Sequence, residues 1–166
     1  MIITYDKLLT NKEELLTIDR TNPFNVVGSF INTICKYDPN NEEPFFDMLQ
    51  VLMGEFQPIS NMMKQQVKDR MTQNNKYSYI GKSYFVGATP ENDYTPNEVL
   101  QVEVKENPYT DQEEGYKRLF VKSGGADSDR PIVLRLAKDG NYYVWSDSFM
   151  GILSDIRGLE SANPWA

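Results

Sequence analysis

Two short loops in the second half of the chain carry residue types that can contact a ligand. Residues 123–131 read SGGADSDRP, in which paired glycines allow close backbone approach and successive N–H groups can hold an anion. Asp127 and Arg130 are spaced to pair across this turn. Residues 87–96 read GATPENDYTP and add an amide and a phenol. The predicted ligand-binding residues are Tyr84, Asn92, Tyr94, Gly124, Gly125, Asp127 and Arg130.

The same residues also suit a structural role. Asp127 would then cap backbone N–H groups and hold Arg130, as Asp commonly does in turns. If Arg130 instead has free donors facing a cleft, it is a candidate for binding a carboxylate or a phosphate. One loop offers an amide and a phenol, and the other offers a carboxylate, a guanidinium and glycine N–H groups. Because these groups match, we expect Asn92 and Tyr94 to lie near Asp127 and Arg130.

The composition excludes several kinds of chemistry. Histidine is absent, which removes Ser-His-Asp and Cys-His catalysis and histidine-ligated zinc. Cys35 is the single cysteine, which excludes an internal disulfide and a Cys₄ metal site. Asp127 does not begin an EF-hand, because the sixth position requires glycine and is occupied by Ile132. We therefore assign no catalytic residue, no metal ligand and no cofactor.

Charge limits the expected partners. The chain has 17 basic and 24 acidic residues, for a net charge of −7. Residues 84–166 hold 8 of the basic and 14 of the acidic residues, a net of −6. Because negative charge repels phosphates, nucleic acid and an anionic membrane are disfavoured. We expect a small molecule or a protein as partner, with the oligomeric state open and a dimer included.

The expected location is the cytoplasm. The first residues lack a basic and an apolar signal-peptide region, and no apolar run approaches the ~20 residues that span a bilayer. A single cysteine, Cys35, is also typical of a reducing compartment.

Residues 1–75 show the apolar period of helices. The signals for helix ends are Thr10 with Glu13 as a capping box, Asn22-Pro23 and Ser60 as starts, and Gly54 as an end. Four short helices in this length predict a cluster with short connections.

After residue 75 the apolar period changes to two, which is typical of strands. The predicted strands cover residues 77–80, 84–86, 100–105, 117–122, 132–137 and 142–145. Asp139-Gly140 predicts a hairpin between the last two. We expect Ile132, Leu134 and Leu136 to face inward and Arg135 outward.

The C-terminal residues are expected to be ordered. Ser146 is predicted to cap a short final helix that carries Phe149 and Ile152. Trp165 is predicted to dock against the domain, because a large aromatic side chain is a liability in water.

Helices followed by an antiparallel meander predict an α+β fold. We expect a single domain, 1–166, with a helical part (1–75) and an antiparallel β part with a short C-terminal helix (76–166). Helices packed on a curved sheet would form a cone with a cavity at its open end. This order of elements resembles nuclear-transport-factor-2-like (NTF2-like) and cystatin-like folds. The alternative is a small helical bundle beside a barrel-like meander.

Three segments resemble a family of Firmicutes proteins whose shared domain has no assigned function. They are SYF-x-GATPEN-x-YTP at 83–96, SGGADS-x-RP at 123–131 and the ending NPWA at 163–166. The chain departs from the family's pattern at Asp129 and Gly158, where the family tends to have proline. The resemblance implies a bacterial cytoplasmic protein and implies no mechanism.

Two classes of function remain open. The preferred one is a non-enzymatic domain that binds a small ligand or a protein, since tyrosines in the second half suit either contact. The alternative is a small-molecule enzyme using carboxylate and tyrosine acid–base chemistry in a cone-shaped pocket. A deep pocket with a buried carboxylate would favour the enzyme, and a flat aromatic patch would favour the interaction domain.

Overall fold

The four helices precede four of the five strands, and the computed structural model describes residues 1–165 of this α+β chain. The helices are α1 (Lys12–Leu16), α2 (Pro23–Cys35), α3 (Glu43–Met53) and α4 (Asn61–Thr72). The strands are β1 (Ile2–Tyr5), β2 (Leu100–Lys105), β3 (Tyr116–Val121), β4 (Arg130–Leu136) and β5 (Tyr142–Val144). The predicted fold class is confirmed.

Three of the predicted helix signals are confirmed. The Asn22 side chain accepts a hydrogen bond from the Phe24 N–H at 3.0 Å, with proline at the first helical position of α2. Ser60 caps α4 in the same way, and Gly54 ends α3 with a left-handed φ of 81°.

The predicted capping box of α1 is wrong by one residue. Asn11 is the cap, and its side chain accepts a hydrogen bond from the Glu14 N–H at 2.9 Å. The Glu14 carboxylate accepts one in return from the Thr10 N–H at 2.9 Å. Thr10–Glu13 and Asn11–Glu14 are overlapping signatures with the same spacing, and asparagine is the stronger cap.

The sheet has the order β1-β2-β3-β4-β5 with every neighbouring pair antiparallel, and it curls into a half-barrel. Helix α2 contacts β1, β2, β3 and β5. Every residue from Val26 to Ile34 is buried, including the polar Ser29, Asn32 and Thr33. The side chains of α2 therefore fill the inside of the curl, where an open cone would have its cavity. The likeness to NTF2-like and cystatin-like folds stays a prediction.

The prediction of strands at residues 77–80 and 84–86 is wrong. The chain forms 3₁₀ turns at Gln73–Ser78 and Lys82–Tyr84, and Phe85 makes only an isolated bridge to Val102. Tyr79 and the next residue, Ile80, are both buried. Two consecutive inward side chains suit a turn, whereas a strand alternates its faces.

The strand that pairs with β2 at the edge of the sheet comes instead from the start of the chain. Strand β1 pairs with β2, from Ile2 opposite Glu103 to Tyr5 opposite Leu100. The sequence pattern did not predict β1, because four residues with one exposed apolar side chain, Ile2, carry little periodic signal.

Most of the alternation predicted for β4 is confirmed. Ile132 and Leu134 are fully buried and Arg135 is exposed. Leu136 was expected to face inward but is 44% exposed, because it is the last residue of the strand, where the sheet no longer has a core behind it.

Two predictions about the C-terminal residues are wrong. Ser146 does not cap a helix; it has a left-handed φ of 51°, and the chain forms a short 3₁₀ turn at Met150–Leu153. Trp165 does not dock, because its side chain is 92% exposed.

Candidate functional site

The two loops singled out in the sequence contact each other. The Ser123 hydroxyl donates to the Ser83 hydroxyl at 2.9 Å, and the Gly124 N–H donates to the Ser83 carbonyl at 2.9 Å. A Cβ atom on Gly124 would collide with the carbonyl oxygen of Ala88. This position therefore requires glycine, because only a residue without a side chain allows the two backbones to approach so closely.

Side chains from these loops bind residues 150–157 of the same chain, called here the clasped segment. The Arg130 guanidinium donates to the carbonyls of Gly151 at 3.3 Å, Ser154 at 2.9 Å and Asp155 at 3.1 Å. The Tyr84 hydroxyl donates to the Ile152 carbonyl at 2.5 Å. Arg130 and Tyr84, both predicted to contact a ligand, therefore contact this segment.

Tyr94 and the glycines hold the end of the same segment. The Tyr94 hydroxyl donates to the Arg157 carbonyl at 2.5 Å, and the Arg157 N–H donates to the Gly125 carbonyl at 3.0 Å. The Arg157 guanidinium donates to the Gly124 carbonyl at 3.3 Å. Gly125 lies directly under the Tyr94 hydroxyl, where a Cβ atom has no room.

The expected Asp127–Arg130 pair does not form. Asp127 pairs with Arg157 at 2.7 Å, whereas Arg130 turns to the carbonyls of the clasped segment. The Asp127 side chain is 98% exposed and that of Arg157 is 52% exposed. An ion pair so open to water contributes little to stability.

Asn92 organises its own loop and does not reach the other one. Its side-chain oxygen accepts hydrogen bonds from the N–H groups of Thr89 and Thr95, each at 3.0 Å. Its amide group donates to the Gly87 carbonyl at 2.7 Å. These bonds hold the loop in a form in which the next residues, Asp93 and Tyr94, both have left-handed φ angles of 55° and 54°.

The buried tyrosines act here as hydrogen-bond donors. Burial raises the pKa of Tyr94 to about 12 and also raises the pKa of Tyr84. Both hydroxyls are therefore protonated at neutral pH and are used on carbonyl oxygens. A ligand-binding role for the seven predicted residues stays a prediction.

A polar cleft of about 550 Å³ opens beside the clasped segment. Its walls include Tyr79, which stacks on Tyr94 with ring centroids 5.1 Å apart, and the exposed Glu91 and Arg157. Asn74 and Asn75, both with left-handed φ angles, form another wall. None of the seven predicted residues lines this cleft, whereas Tyr84 and Gly124 line a smaller cavity of about 230 Å³.

A second concave surface, the aromatic–arginine groove, lies between the loop after α3 and the hairpin that joins β4 to β5. Its volume is about 470 Å³. The groove is lined by Phe56, Gln57, Arg135, Leu136, Ala137, Lys138, Asp139 and Trp145. Phe56 is 62% exposed and Leu136 is 44% exposed, so two of the chain's large exposed apolar side chains meet in one place.

Arg135 lies against two aromatic rings of this groove region. Its guanidinium carbon is 4.6 Å from the ring centroid of Trp145 and 5.3 Å from that of Tyr116. The two rings meet edge to face with centroids 5.7 Å apart. Among residues 1–165, Arg135 forms no salt bridge and no side-chain hydrogen bond. The rings therefore hold the cation in place while its N–H donors stay free.

Gln57 fixes one wall of the groove to the sheet. Its side-chain amide donates to the carbonyls of Met53 at 2.7 Å and Val144 at 2.9 Å. Its side-chain oxygen accepts a hydrogen bond from the Ser146 N–H at 2.8 Å. The end of α3 is thereby tied to β5, and Ser146 is held in the strained left-handed conformation that follows Trp145.

Phe56 is positioned by a second set of contacts. Its ring packs edge to face on Tyr143, with centroids 4.9 Å apart. The Tyr143 hydroxyl donates to the Asp139 carboxylate at 2.6 Å, which lowers the pKa of Asp139. The groove is thus preformed, which limits the entropy that a partner would have to overcome on binding.

Sequence reasoning missed this groove. The sequence carries the hairpin signal at Asp139-Gly140 and a strand predicted at residues 142–145. The hairpin forms, and the strand β5 ends one residue earlier, at Val144. Phe56 and Gln57 come from the loop after α3, far away in the sequence, and no local pattern connects them to Trp145.

Comparison with known families identifies a domain. The model of the domain of unknown function DUF6935 matches residues 7–160. The chain belongs to the DUF6935 family. The match includes both loops, the clasped segment and the groove, and it stops before the ending at 163–166. No match was found among curated proteins or among solved structures.

Two further properties concern the part of the chain that the structure describes. Within residues 1–165, no helix has the length and apolar character needed to cross a membrane. The same residues contain no cluster of three or more Cys, Asp or Glu side chains arranged to hold a metal ion.

Removal of Arg130 and removal of Asp127 should have very different effects. Arg130→Ala removes the guanidinium that donates to the Ser154 and Asp155 carbonyls and, together with the Ser154 N–H, to that of Gly151. We expect a loss of about 2–3 kcal/mol in the free energy of unfolding. Asp127→Ala removes only an exposed ion pair and should leave the free energy of unfolding nearly unchanged. Urea unfolding measures both, and an equal loss in the two variants would contradict these roles.

Tyr94 should make stability fall in alkali. Its pKa is about 10 when unfolded and about 12 when folded, so its contribution is complete below pH 10 and is lost as the pH rises toward 12. Tyr94→Phe should be less stable at pH 8 but should lose stability less steeply between about pH 8 and 11. Urea midpoints at several pH values test this, with Tyr109→Phe, whose side chain is 60% exposed, as the control. A slope unchanged in Tyr94→Phe would show that the hydroxyl is not held protonated by the fold.

Proposed function

We propose that this DUF6935 chain is a non-enzymatic protein-binding domain whose contact surface is the aromatic–arginine groove. One observation carries the proposal: Arg135 lies on Trp145 and Tyr116 with its donors free, beside the exposed Phe56 and Leu136. Tryptophan, tyrosine and arginine dominate the binding energy of protein interfaces, and they do so where they surround a small apolar pocket.

A small-ligand site in the polar cleft is the second candidate. The observation that favours it is the set of amide, carboxylate and guanidinium groups around Tyr79, in a space of about 550 Å³. It ranks second because none of the seven predicted residues lines this cleft, and because Arg130, Tyr84 and Tyr94 already donate to the clasped segment.

The enzyme alternative has less support. It requires a carboxylate and a tyrosine in an open cone, but α2 fills the inside of the curled sheet. Among the described residues, the buried polar side chains are serine, threonine and asparagine, and none is a carboxylate. The buried tyrosines have raised pKa values, which makes them poor bases at neutral pH.

The setting of the proposal is the bacterial cytoplasm, in keeping with the single Cys35. A protein is proposed as partner in preference to nucleic acid or a membrane, because the chain has a net charge of −7. The groove of one chain could also receive a second copy, so a dimer belongs to the same proposal.

A random peptide library tests the proposal even though the natural partner is unidentified. We expect selection on the immobilised domain to enrich peptides whose affinity falls about tenfold or more in Phe56→Ser. Met62→Ser is the matched control, because Met62 is 72% exposed on α4, away from the groove. The proposal fails if no peptide is enriched, or if Met62→Ser reduces binding as much as Phe56→Ser.

A further inference from the structure

The outer face of β3 extends the pattern of the groove. Leu119 and Val121 of this strand are buried, so Tyr116, Arg118 and Phe120 alternate onto the opposite face. The Arg118 guanidinium lies 5.7 Å from the ring centroid of Phe120. Arg118 thus repeats, one step further along the sheet, the arrangement of Arg135 on its two rings.

Arg118 and Arg135 are diagonal neighbours. The register places Tyr116 opposite Arg135 and Arg118 opposite Val133. Diagonal positions on neighbouring antiparallel strands are about 7–8 Å apart. In an extended peptide, side chains on one side repeat every two residues, at roughly 6.6–6.8 Å. The two spacings match.

Both arginines lack an acidic partner within residues 1–165, as does Lys138, which also lines the groove. Lys117 is paired with Asp111 at 2.8 Å and Lys105 with Asp129 at 3.3 Å. Arg118, Arg135 and Lys138 therefore make this region locally positive on a chain whose net charge is −7. This local charge is complementary to an acidic partner.

We propose that the groove binds an extended acidic segment of another protein, with carboxylates at alternate residues on Arg135 and Arg118 and a large apolar side chain between Phe56, Leu136 and Trp145. The proposal rests on the proposed function and adds the class of partner. A guanidinium held flat on an aromatic ring keeps its edge available for a carboxylate, which it binds through two parallel hydrogen bonds.

A single-stranded nucleic acid also offers regularly spaced anions, but the groove fits it less well. Bases bind such surfaces by stacking on aromatic faces. Here Arg135 already lies over the rings of Trp145 and Tyr116, and the Asp139 carboxylate borders the groove. Stacking would displace the cation that attracts the phosphates.

Three fluorescent peptides of about ten residues test the inference. Each has a central Leu-Trp anchor; one has Asp and Glu at alternate positions, one has the same acids in a block at one end, and one has Asn and Gln instead. We expect the alternating peptide to bind about tenfold more tightly than the neutral one and more tightly than the block peptide. Arg135→Gln and Arg118→Gln should each remove most of this advantage. Lys64→Gln is the matched control, since Lys64 stacks on Phe46 at 5.3 Å elsewhere, and it should change nothing.

The outcomes separate the two proposals, provided that the variants keep the thermal unfolding midpoint of the parent. If the neutral peptide binds as tightly as the alternating one and Phe56→Ser still abolishes binding, the acidic class is wrong and the groove function stands. If oligouridylate binds through Arg135 while no peptide does, the partner is nucleic acid and both proposals fail. If neither these peptides nor any library peptide binds, both fail as well.

Discussion

The carbonyl groups of the clasped segment, residues 150–157, are satisfied by side chains rather than by a helix or a sheet. A four-residue 3₁₀ turn leaves most of its carbonyls without backbone partners, and burying them unpaired is costly. Arg130 and Tyr84 donate to four of these oxygens, Tyr94 donates to a fifth, and Arg70 of α4 donates to the Met150 carbonyl at 3.4 Å. The clasped segment therefore links side chains from α4, from the start of β4 and from the two loops.

The six arginines of the chain divide into two groups. Arg70, Arg130 and Arg157 hold the clasped segment or belong to it. Arg20, Arg118 and Arg135 lie over aromatic rings and form no salt bridge among the described residues. One group is used by the fold, and the other presents free donors at the surface, which is why function is placed at the groove and not at the two loops.

Local sequence signals predicted the helix ends and the hairpin, which are determined by contacts between residues close together in the sequence. Asn22-Pro23, Ser60 and Gly54 marked helix ends because caps act within a few residues, and the hairpin at Asp139-Gly140 did so for the same reason. The aromatic residues at 77–86 do not form strands, because residues 79–81 and 83–85 are buried one after another by packing in the core and do not alternate as strand residues do. The two loops meet through Gly124, Gly125 and Tyr94, whereas the expected contact of Asn92 with Asp127 and Arg130 does not form.

The partners of the loop side chains could not be predicted from the sequence. Asp127 and Asp129 lie close to Arg130 in the sequence, yet Arg130 donates to carbonyls more than twenty residues further along the chain. Asp127 pairs instead with Arg157, thirty residues away. The groove depends on Gln57, which bonds to Ser146 across 89 residues. Pairings of this length are decided by the packed fold, and a single sequence carries no local trace of them.

Hydrogen exchange in Arg130→Lys tests the clasp most directly, because lysine keeps the charge but lacks the forked guanidinium whose two nitrogens reach three carbonyls. We expect the amides of Ile152 and Arg157, which donate to the Phe149 and Gly125 carbonyls, to exchange about tenfold faster or more than in the parent chain. The amides of β2 and β3 should keep the exchange rates of the parent. Unchanged exchange at Ile152 and Arg157, or an equal acceleration throughout the sheet, would contradict the claim that these loops hold the chain's own residues 150–157.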